Sequence, residues 1–324
     1  MRKRPGNGAS GPLTIRATIP PARDALRFAP VFVLATARSY SSVVATMVGQ
    51  HPRCASLPEL KLFAYDTVEE LEASLPVYWS DRGITHRSPG LVRAIAQFEF
   101  GDQTSASMLA ARAWLRDRSD WSGAQVLDVL LTRLSPKLAV EKSPENVEND
   151  AALQRLGASY PRARYLHLTR HPVTTQQSLE KHWNRTIPGF VLPGQPMSGI
   201  AAWVSAQCRI LAFAATLPES RYLRVRAEDV LNDPHSQLAL IASWLELETD
   251  SDAIDAMLHP ERSPFAHPGP IASGIVGGND PAFLSDPVPR RVALPQGIEA
   301  PQGWVENSSL WEMTLDIAER LGYS

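Results

Sequence analysis

Residues 30–52 constrain the fold of this chain most, because an apolar strand pattern changes there into a helical pattern within a few positions. Residues 31–34 are β-branched or apolar and predict a buried strand. Residues 35–42 are mostly small or hydroxyl-bearing and predict a tight turn. The helix predicted after the turn carries on one face Val43, Val44, Met47 and Val48. This stretch therefore predicts a strand, a short loop and a helix that form one unit.

The turn of this unit is suited to bind an anion. It carries Arg38, Ser39, Ser41 and Ser42, which we expect in the first turn of the helix. Free N–H groups and the positive end of the dipole at a helix start attract phosphate, and an arginine and hydroxyls add charge-assisted hydrogen bonds. A Walker-type nucleotidase would need a lysine directly before Ser41, where Tyr40 stands instead. We therefore expect a phosphate here, but not magnesium-ATP hydrolysis.

Composition limits the classes of protein to which the chain can belong. Its 324 residues, of which 44% are hydrophobic, can bury a sizeable core. A formal net charge of −2 gives no footprint for nonspecific nucleic-acid binding, and the apolar runs are too short to span a bilayer. Residues 1–28 read as a loose lead-in, and the two cysteines do not make a disulfide scaffold. We expect a cytoplasmic protein with a single domain over residues 29–324.

Strand patterns alternate with helical patterns along the chain. Further strands are predicted at residues 138–140, 164–169 and 221–226, and residues 66–136 read as a helical insert. Such alternation predicts an α/β fold of three layers, with a mostly parallel central sheet flanked by helices. Ligands of such sheets bind beyond the carboxyl ends of the strands.

Three cationic residues each follow closely on a predicted strand. They are Arg38, Lys142 and Arg170. The carboxyl ends of parallel strands lie at one edge of the sheet, so we expect all three side chains to face one basin. Their convergence predicts a site for an anionic ligand.

Four sequence elements carry a resemblance to a known family. They are 31-VFVLATARSYSS-42, 141-EKSPEN-146, 165-YLHLTRHPVTTQQSL-179 and 222-YLRVRAEDVLNDP-234. In this order they resemble the sulfotransferases that use 3′-phosphoadenosine-5′-phosphosulfate (PAPS), a P-loop-like α/β family without a metal cofactor. The resemblance implies the P-loop-like sulfotransferase fold and in-line transfer of a sulfuryl group to a hydroxyl or amine.

The resemblance also implies where the donor binds. The turn of Arg38, Ser39, Tyr40, Ser41 and Ser42 corresponds to the 5′-phosphosulfate loop of the family. The second clamp, for the 3′-phosphate, consists of Arg170 at a strand end and Ser178 on the next helix. A donor with anions at two places needs two separated clamps, and this requirement favours PAPS over ATP.

Catalytic roles follow from the same resemblance. Lys142 and Arg38 are the candidates that stabilise the charge developing on the leaving phosphate. A general base must take the proton of the acceptor. Glu59, in a Pro-Glu-Leu element like that of the family, is the first choice, and His182 or His171 is the second.

Two positions depart from the family pattern. Tyr40 replaces a glycine, which is strained if the position needs a positive φ, and Ala227 stands where the family often has a tyrosine of the nucleotide pocket. An active sulfotransferase remains the first hypothesis. The alternatives are a catalytically silent relative that binds a nucleotide or a carrier protein, and a P-loop-like kinase.

The acceptor is predicted only as a class. The helical insert, the Pro-Glu-Leu element and residues 277–284 resemble the bacterial branch that includes sulfotransferase domains of polyketide assembly lines. Members of that branch can act on substrates tethered to carrier proteins. The resemblance thus implies secondary metabolism and a small-molecule acceptor, either free or bound to an acyl or peptidyl carrier protein.

Overall fold

A computed structural model describes residues 29–74, 79–80, 83–84, 88–186, 198–295, 297–300 and 308–323. The strands are β1 Val31–Leu34, β2 Cys54–Ser56, β3 Trp79–Ser80, β4 Gly83–Ile84, β5 Leu138–Glu141, β6 Arg164–Thr169 and β7 Tyr222–Arg226. The helices are α1 Ser41–Gly49, α2 Val68–Ser74, α3 Pro89–Glu99, α4 Ser105–Arg116, α5 Gly123–Leu134, α6 Asp150–Ser159, α7 Pro172–Thr186, α8 Ser198–Ala214, α9 Ala227–Asn232, α10 Pro234–Trp244, α11 Ser251–Met257, α12 Pro281–Ser285 and α13 Ser308–Arg320. The predicted lead-in at residues 1–28 lies outside the described residues.

Five strands form one parallel sheet in the order β2-β5-β1-β6-β7. The first strand lies at its centre, and Val31 is opposite Val140 on one side and Arg164 on the other. A short antiparallel pair, β3 and β4, stands apart from this sheet. The predicted α/β fold with a parallel central sheet is confirmed.

The two faces of the sheet are covered by different helices. Successive side chains of a strand point to opposite faces, and all four residues of β1 are buried. Phe32 and Leu34 pack in one core with residues of α3, α4, α5, α6 and α8. Val31 and Val33 pack in a second core with residues of α1, α9, α10 and α11. The protein therefore has the three layers that the alternating pattern predicts.

The structure departs from the sequence-based prediction at three elements. The edge strand β2 was not predicted, because its three residues form no apolar run. The insert between residues 66 and 136 is mostly helical, but it also contains β3 and β4. The mostly apolar residues 201–217 predict a core helix, but the helix found there, α8, exposes Ala202, Ser205 and Cys208 along one side. None of the helices in the described ranges is long and apolar enough to cross a membrane.

The position of β1 between β5 and β6 determines where the loops meet. The carboxyl ends of these three neighbouring strands are at Leu34, Glu141 and Thr169. The chain continues from them into the turn before α1, the loop after β5 and the start of α7. Residues far apart in sequence are thus brought to one edge of the sheet.

The contact between α1 and β2 leaves no room for a side chain at Gly49. A Cβ atom there would lie 2.3 Å from Ser56 Cβ and 2.4 Å from the Ser56 backbone nitrogen. Alanine is the better helix former by about 1 kcal/mol, so propensity alone predicts that Gly49→Ala is stabilising. We expect the opposite result, a loss of about 3 kcal/mol in the free energy of unfolding, measured with urea.

The control for this variant is Gly157→Ala on α6. A Cβ atom at Gly157 would lie 3.1 Å from the ring of Phe213, a side chain that can move by a few tenths of an ångström. We expect a change of less than about 1 kcal/mol for it. Equal effects of the two substitutions would show that the tight approach of α1 to β2 has no energetic consequence.

Candidate active site

The loop between β1 and α1 has an unusual backbone conformation. Arg38 and Tyr40 have φ angles of 66° and 58°, a region that residues with side chains rarely adopt. The hydroxyl groups of Thr36 and Ser39 are hydrogen-bonded to each other at 2.6 Å. The helix begins at Ser41, so Arg38 and Ser39 precede it, whereas the sequence analysis placed them in its first turn. The start of α1 lies at the carboxyl end of β1, as an anion site requires.

Lys142, in the loop after β5, is buried against Ser42 and Glu59. Its Nζ donates to Ser42 Oγ at 2.9 Å and forms an ion pair with Glu59 Oε1. Only 2% of the Lys142 side chain is exposed, against 19% for Glu59. Burial raises the pKa of the Glu59 carboxyl, but the charges of Lys142, Lys61 and Arg38 outweigh burial and hold that pKa below its ordinary value. Glu59 is therefore ionised at neutral pH and can accept a proton.

A buried carboxylate, Glu141, connects the loop after β5 to the segment after β2. Ser143 Oγ donates to Glu141 at 2.5 Å, and Asn146 Nδ2 donates to it at 2.8 Å. The same Ser143 oxygen accepts the backbone N–H of Lys61 at 2.9 Å. Burial raises the pKa of Glu141 to about 7, in spite of the hydrogen bonds and the nearby charge that lower it.

Asp280 is a site residue that the sequence analysis did not single out. Its carboxylate forms an ion pair with Arg38, and its backbone N–H donates to Ser42 Oγ at 3.0 Å. Arg38 Nε also donates to Ser178 Oγ at 3.2 Å. The turn after β1 therefore contacts both the first helical turns of α7 and a segment near the end of the chain. The unusual Gly-Gly-Asn-Asp-Pro sequence within residues 277–284 was the only signal of this role.

Gly278, two residues before Asp280, is required by a close contact. Gly278 has a φ of 91°, and a Cβ atom on it would lie 2.4 Å from Gly90 Cα. The Gly278 carbonyl accepts the backbone N–H of Glu59 at 2.8 Å. The guanidinium of the buried Arg93 donates to the carbonyl of Gly277 at 2.6 Å. These contacts hold the segment against α3 and beside the turn between β1 and α1.

Arg170 is buried, with 9% of its surface exposed. Its guanidinium carbon lies 4.1 Å from the centre of the Tyr40 ring, its Nε donates to Thr174 Oγ1 at 3.2 Å, and its Nη1 donates to the Arg38 carbonyl. Among the described residues no carboxylate forms an ion pair with Arg170, whereas Arg38 and Lys142 each have one. Burial lowers the pKa of Arg170, and the charge of Glu228, which acts in the opposite direction, does not outweigh burial.

The two candidate histidines lie in different surroundings. The backbone N–H of His171 donates to Glu228 at 2.9 Å, and its ring Nε2 lies 3.3 Å from the Gly297 carbonyl. Burial lowers the pKa of His171, so its ring is neutral at pH 7. His182 lies on α7, about one helical turn beyond Ser178. A role of either histidine as a base stays a prediction.

Ala227 lies in the protein core. It is fully buried and packs with Val225 and Val230 on one face of the sheet. The next residue, Glu228, accepts a hydrogen bond from the hydroxyl of Tyr323 at 3.0 Å. A tyrosine from the end of the chain thus packs beside the carboxyl ends of β6 and β7.

Comparisons with known proteins agree on one family. A sequence profile described as "Sulfotransferase family" matches residues 30–251. No curated protein sequence matches the chain. Among solved structures, the sulfotransferase domain from the curacin biosynthetic pathway has a TM-score of 0.72 and 22% identity, covering 92% of this chain and 98% of that one. The sulfotransferase domain of the Synechococcus PCC 7002 olefin synthase has a TM-score of 0.65 and 24% identity, with coverage of 92% and 96%.

A further structure, sulfotransferase STF9 from Mycobacterium avium, has a TM-score of 0.52 and 15% identity, covering 92% of this chain and 78% of that one. At these levels of identity, the solved structures show a common fold. The match of the sequence profile covers all four elements on which the resemblance was based, from the first strand to residue 234.

The raised pKa of Glu141 predicts how the free energy of unfolding changes with pH. Its pKa of about 7 in the folded protein lies above the ordinary 4.5, so the folded state favours the protonated form. The contribution of Glu141 to the free energy of unfolding is fully present below about pH 4.5. This contribution falls by up to about 3 kcal/mol as the pH rises towards 7. Glu141→Gln does not titrate. We therefore expect the free energy of unfolding of wild type, minus that of Glu141→Gln, to fall between pH 5 and pH 8 in urea titrations.

The exposed Glu219→Gln serves as the control for a lost carboxylate. It should show no such fall across the same pH range. If the difference in the free energy of unfolding between wild type and Glu141→Gln stays constant from pH 5 to pH 8, Glu141 is ionised throughout this range.

Proposed function

Since the chain belongs to the sulfotransferase family, we propose that it transfers a sulfuryl group from PAPS to a hydroxyl or amine of its acceptor. The observation that carries this proposal is the meeting of Arg38, Lys142 and Arg170 at the carboxyl edge of the sheet. All three are joined by contacts to one turn, through Ser42, the Arg38 carbonyl and the ring of Tyr40. Cations collected at one place, beside a helix start, are suited to a ligand with several anionic groups.

The residues at this edge fit the donor. Arg38 and the first turn of α1, with Ser41 and Ser42, would hold the phosphosulfate. Arg170 would hold the 3′-phosphate, because it is a buried cation without a carboxylate partner among the described residues. Ser178, the other residue of the predicted 3′-phosphate clamp, accepts a hydrogen bond from Arg38 Nε at 3.2 Å. When bound, PAPS supplies the sulfuryl group, and the bond from sulfur to the phosphate oxygen is the one that breaks.

Glu59 and Lys142 would share the work of proton transfer and charge stabilisation. The Glu59 carboxylate accepts the proton that the acceptor hydroxyl or amine loses as its oxygen or nitrogen bonds to sulfur. Lys142 stabilises the negative charge on the leaving phosphate. In the ion pair Glu59 is a weak base, since Lys142 stabilises its charged form. A turn of the ammonium towards the donor would raise the basicity of Glu59, so that the base becomes effective once the donor is in place.

The acceptor that we propose is a small molecule, either free or tethered to an acyl or peptidyl carrier protein. The similarity in fold to sulfotransferase domains of the curacin pathway and of an olefin synthase supports this class. The proposed mechanism limits the attacking atom to a hydroxyl oxygen or an amine nitrogen that carries a proton.

Substitutions at the site should separate donor binding from turnover. Removing a charged hydrogen bond costs about 1.5–3 kcal/mol, so Arg38→Ala and Arg170→Ala should each weaken the binding of adenosine 3′,5′-bisphosphate about tenfold to a hundredfold. Glu59→Gln should bind this product no more weakly than wild type but lower kcat by about 10² or more, because the base is lost. Calorimetry measures binding, and the release of the bisphosphate from PAPS in the presence of candidate acceptors measures turnover.

Arg112→Ala, an exposed arginine on α4, is the matched control and should change neither quantity. Normal turnover of Glu59→Gln would show that another group is the base. Failure of the wild-type protein to bind the bisphosphate would count against the proposed donor, and magnesium-dependent hydrolysis of ATP would favour a kinase-like activity. Tight binding without transfer to any acceptor would favour a catalytically silent relative.

Asp280 should compete with the donor for Arg38. Asp280→Asn removes the negative charge but keeps the helix cap, since asparagine is as good an N-cap as aspartate and the cap accepts the N–H of Ala282 at 2.8 Å. We expect this variant to bind adenosine 3′,5′-bisphosphate about threefold to tenfold more tightly in calorimetry. Asp286→Asn, which removes an exposed ion pair with Arg290, is the control. Weaker binding by Asp280→Asn would show that Asp280 positions Arg38 for the donor.

A further inference from the structure

Tyr40 has a backbone conformation that glycine would adopt without strain. Its φ of 58° and ψ of 16° place it in the left-handed region, two residues after Arg38 at φ 66°. For a residue with a side chain this costs about 1 kcal/mol or more. Strain of this kind persists where the surrounding structure over-determines it. The contacts of the Tyr40 ring are therefore the place to look for a compensating role.

The ring of Tyr40 lies against the guanidinium of Arg170. The distance from the guanidinium carbon to the ring centre is 4.1 Å, within the range of a cation–π interaction. Two of the five guanidinium N–H groups donate to described residues, from Nε to Thr174 and from Nη1 to the Arg38 carbonyl. The Trp203 indole donates to the backbone carbonyl of Arg170 at 3.0 Å and fixes the main chain at this position. Arg170 is thus held on one face and along one edge, and its remaining N–H groups are left for a ligand.

The kind of group that contacts a guanidinium determines whether its positive charge is neutralised. An ion pair neutralises a guanidinium, as Asp280 does for Arg38. An aromatic face orients and stabilises a cation but carries no net charge, so Tyr40 does not neutralise the positive charge of Arg170. Tyr40 therefore orients Arg170 without neutralising it, whereas a carboxylate would neutralise the guanidinium and a glycine has no side chain to contact it.

We propose that Tyr40 is a positioning residue that holds Arg170 for the 3′-phosphate, and that it thereby selects donor nucleotides with a 3′-phosphate over those with a 5′-phosphate alone. This inference rests on the proposed function. It explains why a strained tyrosine stands in a turn where glycine is easier: the ring interaction offsets the backbone strain, and the gain appears as selectivity between nucleotides.

The test compares two ligands that differ by one phosphate, adenosine 3′,5′-bisphosphate and adenosine 5′-monophosphate. Calorimetry gives both dissociation constants for wild type, Tyr40→Phe, Tyr40→Leu and Tyr40→Gly. Phenylalanine keeps the ring, leucine keeps an apolar side chain and the strained backbone without a ring, and glycine relieves the strain. We expect the preference for the bisphosphate to be retained in Tyr40→Phe and to fall about tenfold in Tyr40→Leu and Tyr40→Gly. Affinity for the monophosphate should stay within about twofold in all variants.

Thermal unfolding supplies the second readout. Tyr40→Gly should melt no lower than wild type, because glycine adopts the backbone conformation without strain. A full preference for the bisphosphate in Tyr40→Gly or Tyr40→Leu would overturn the inference. So would an equal loss of affinity for both ligands with a lower melting temperature, since that pattern indicates a structural role alone. A wild-type protein that binds neither ligand, or both equally, would instead contradict the proposed donor.

Discussion

The repulsion between three neighbouring cations, of which Lys142 and Arg170 are buried, is the constraint on which the architecture of this site depends. Arg38, Lys142 and Arg170 follow three adjacent parallel strands, so the sheet itself forces them together. Lys142 is balanced by the carboxylate of Glu59 and Arg38 by that of Asp280. Arg170 is stabilised by an aromatic face and by oxygen acceptors that carry no charge. Among the described residues Arg170 has no ion pair, so we expect the basin to be more positive at Arg170 than at Arg38 and Lys142. Such a field would orient a ligand with unequal charges at its two ends before it makes close contacts.

The central part of the fold was predictable from sequence because its signals are local. Apolar β-branched runs predicted four of the five strands of the sheet, and the residues after β1, β5 and β6 predicted the meeting of the three cations. The edge strand β2 has no such run, since it is short and pairs with only one neighbour. Its position follows from the tight packing of α1 at Gly49, which is a tertiary contact. A pattern within one segment carries no information of that kind.

The candidate site was predictable to a similar extent. The sequence marks Tyr40 as a departure from glycine at a place that could require a positive φ, and the structure shows this conformation. It gave no sign of the ring packing on Arg170, which lies more than a hundred residues further along the chain. Asp280 was missed for the same reason, since its segment is held beside the turn by contacts with α3 and Glu59, which are distant in sequence.

The approach of Gly278 to Gly90 has a consequence for the way in which sequences of this type can diverge. The two backbones are so close that a methyl group on Gly278 would overlap the Cα atom of Gly90. A side chain on Gly278 would require its segment to move, and such a movement would carry Asp280 away from Arg38 and break the hydrogen bond to Glu59. A Cβ atom on Gly90 would lie 2.2 Å from the Glu59 carbonyl oxygen, so this position is restricted as well. We therefore expect both glycines to be retained during evolution. A relative that lacks both glycines would have to hold this segment beside Glu59 and Arg38 through other contacts.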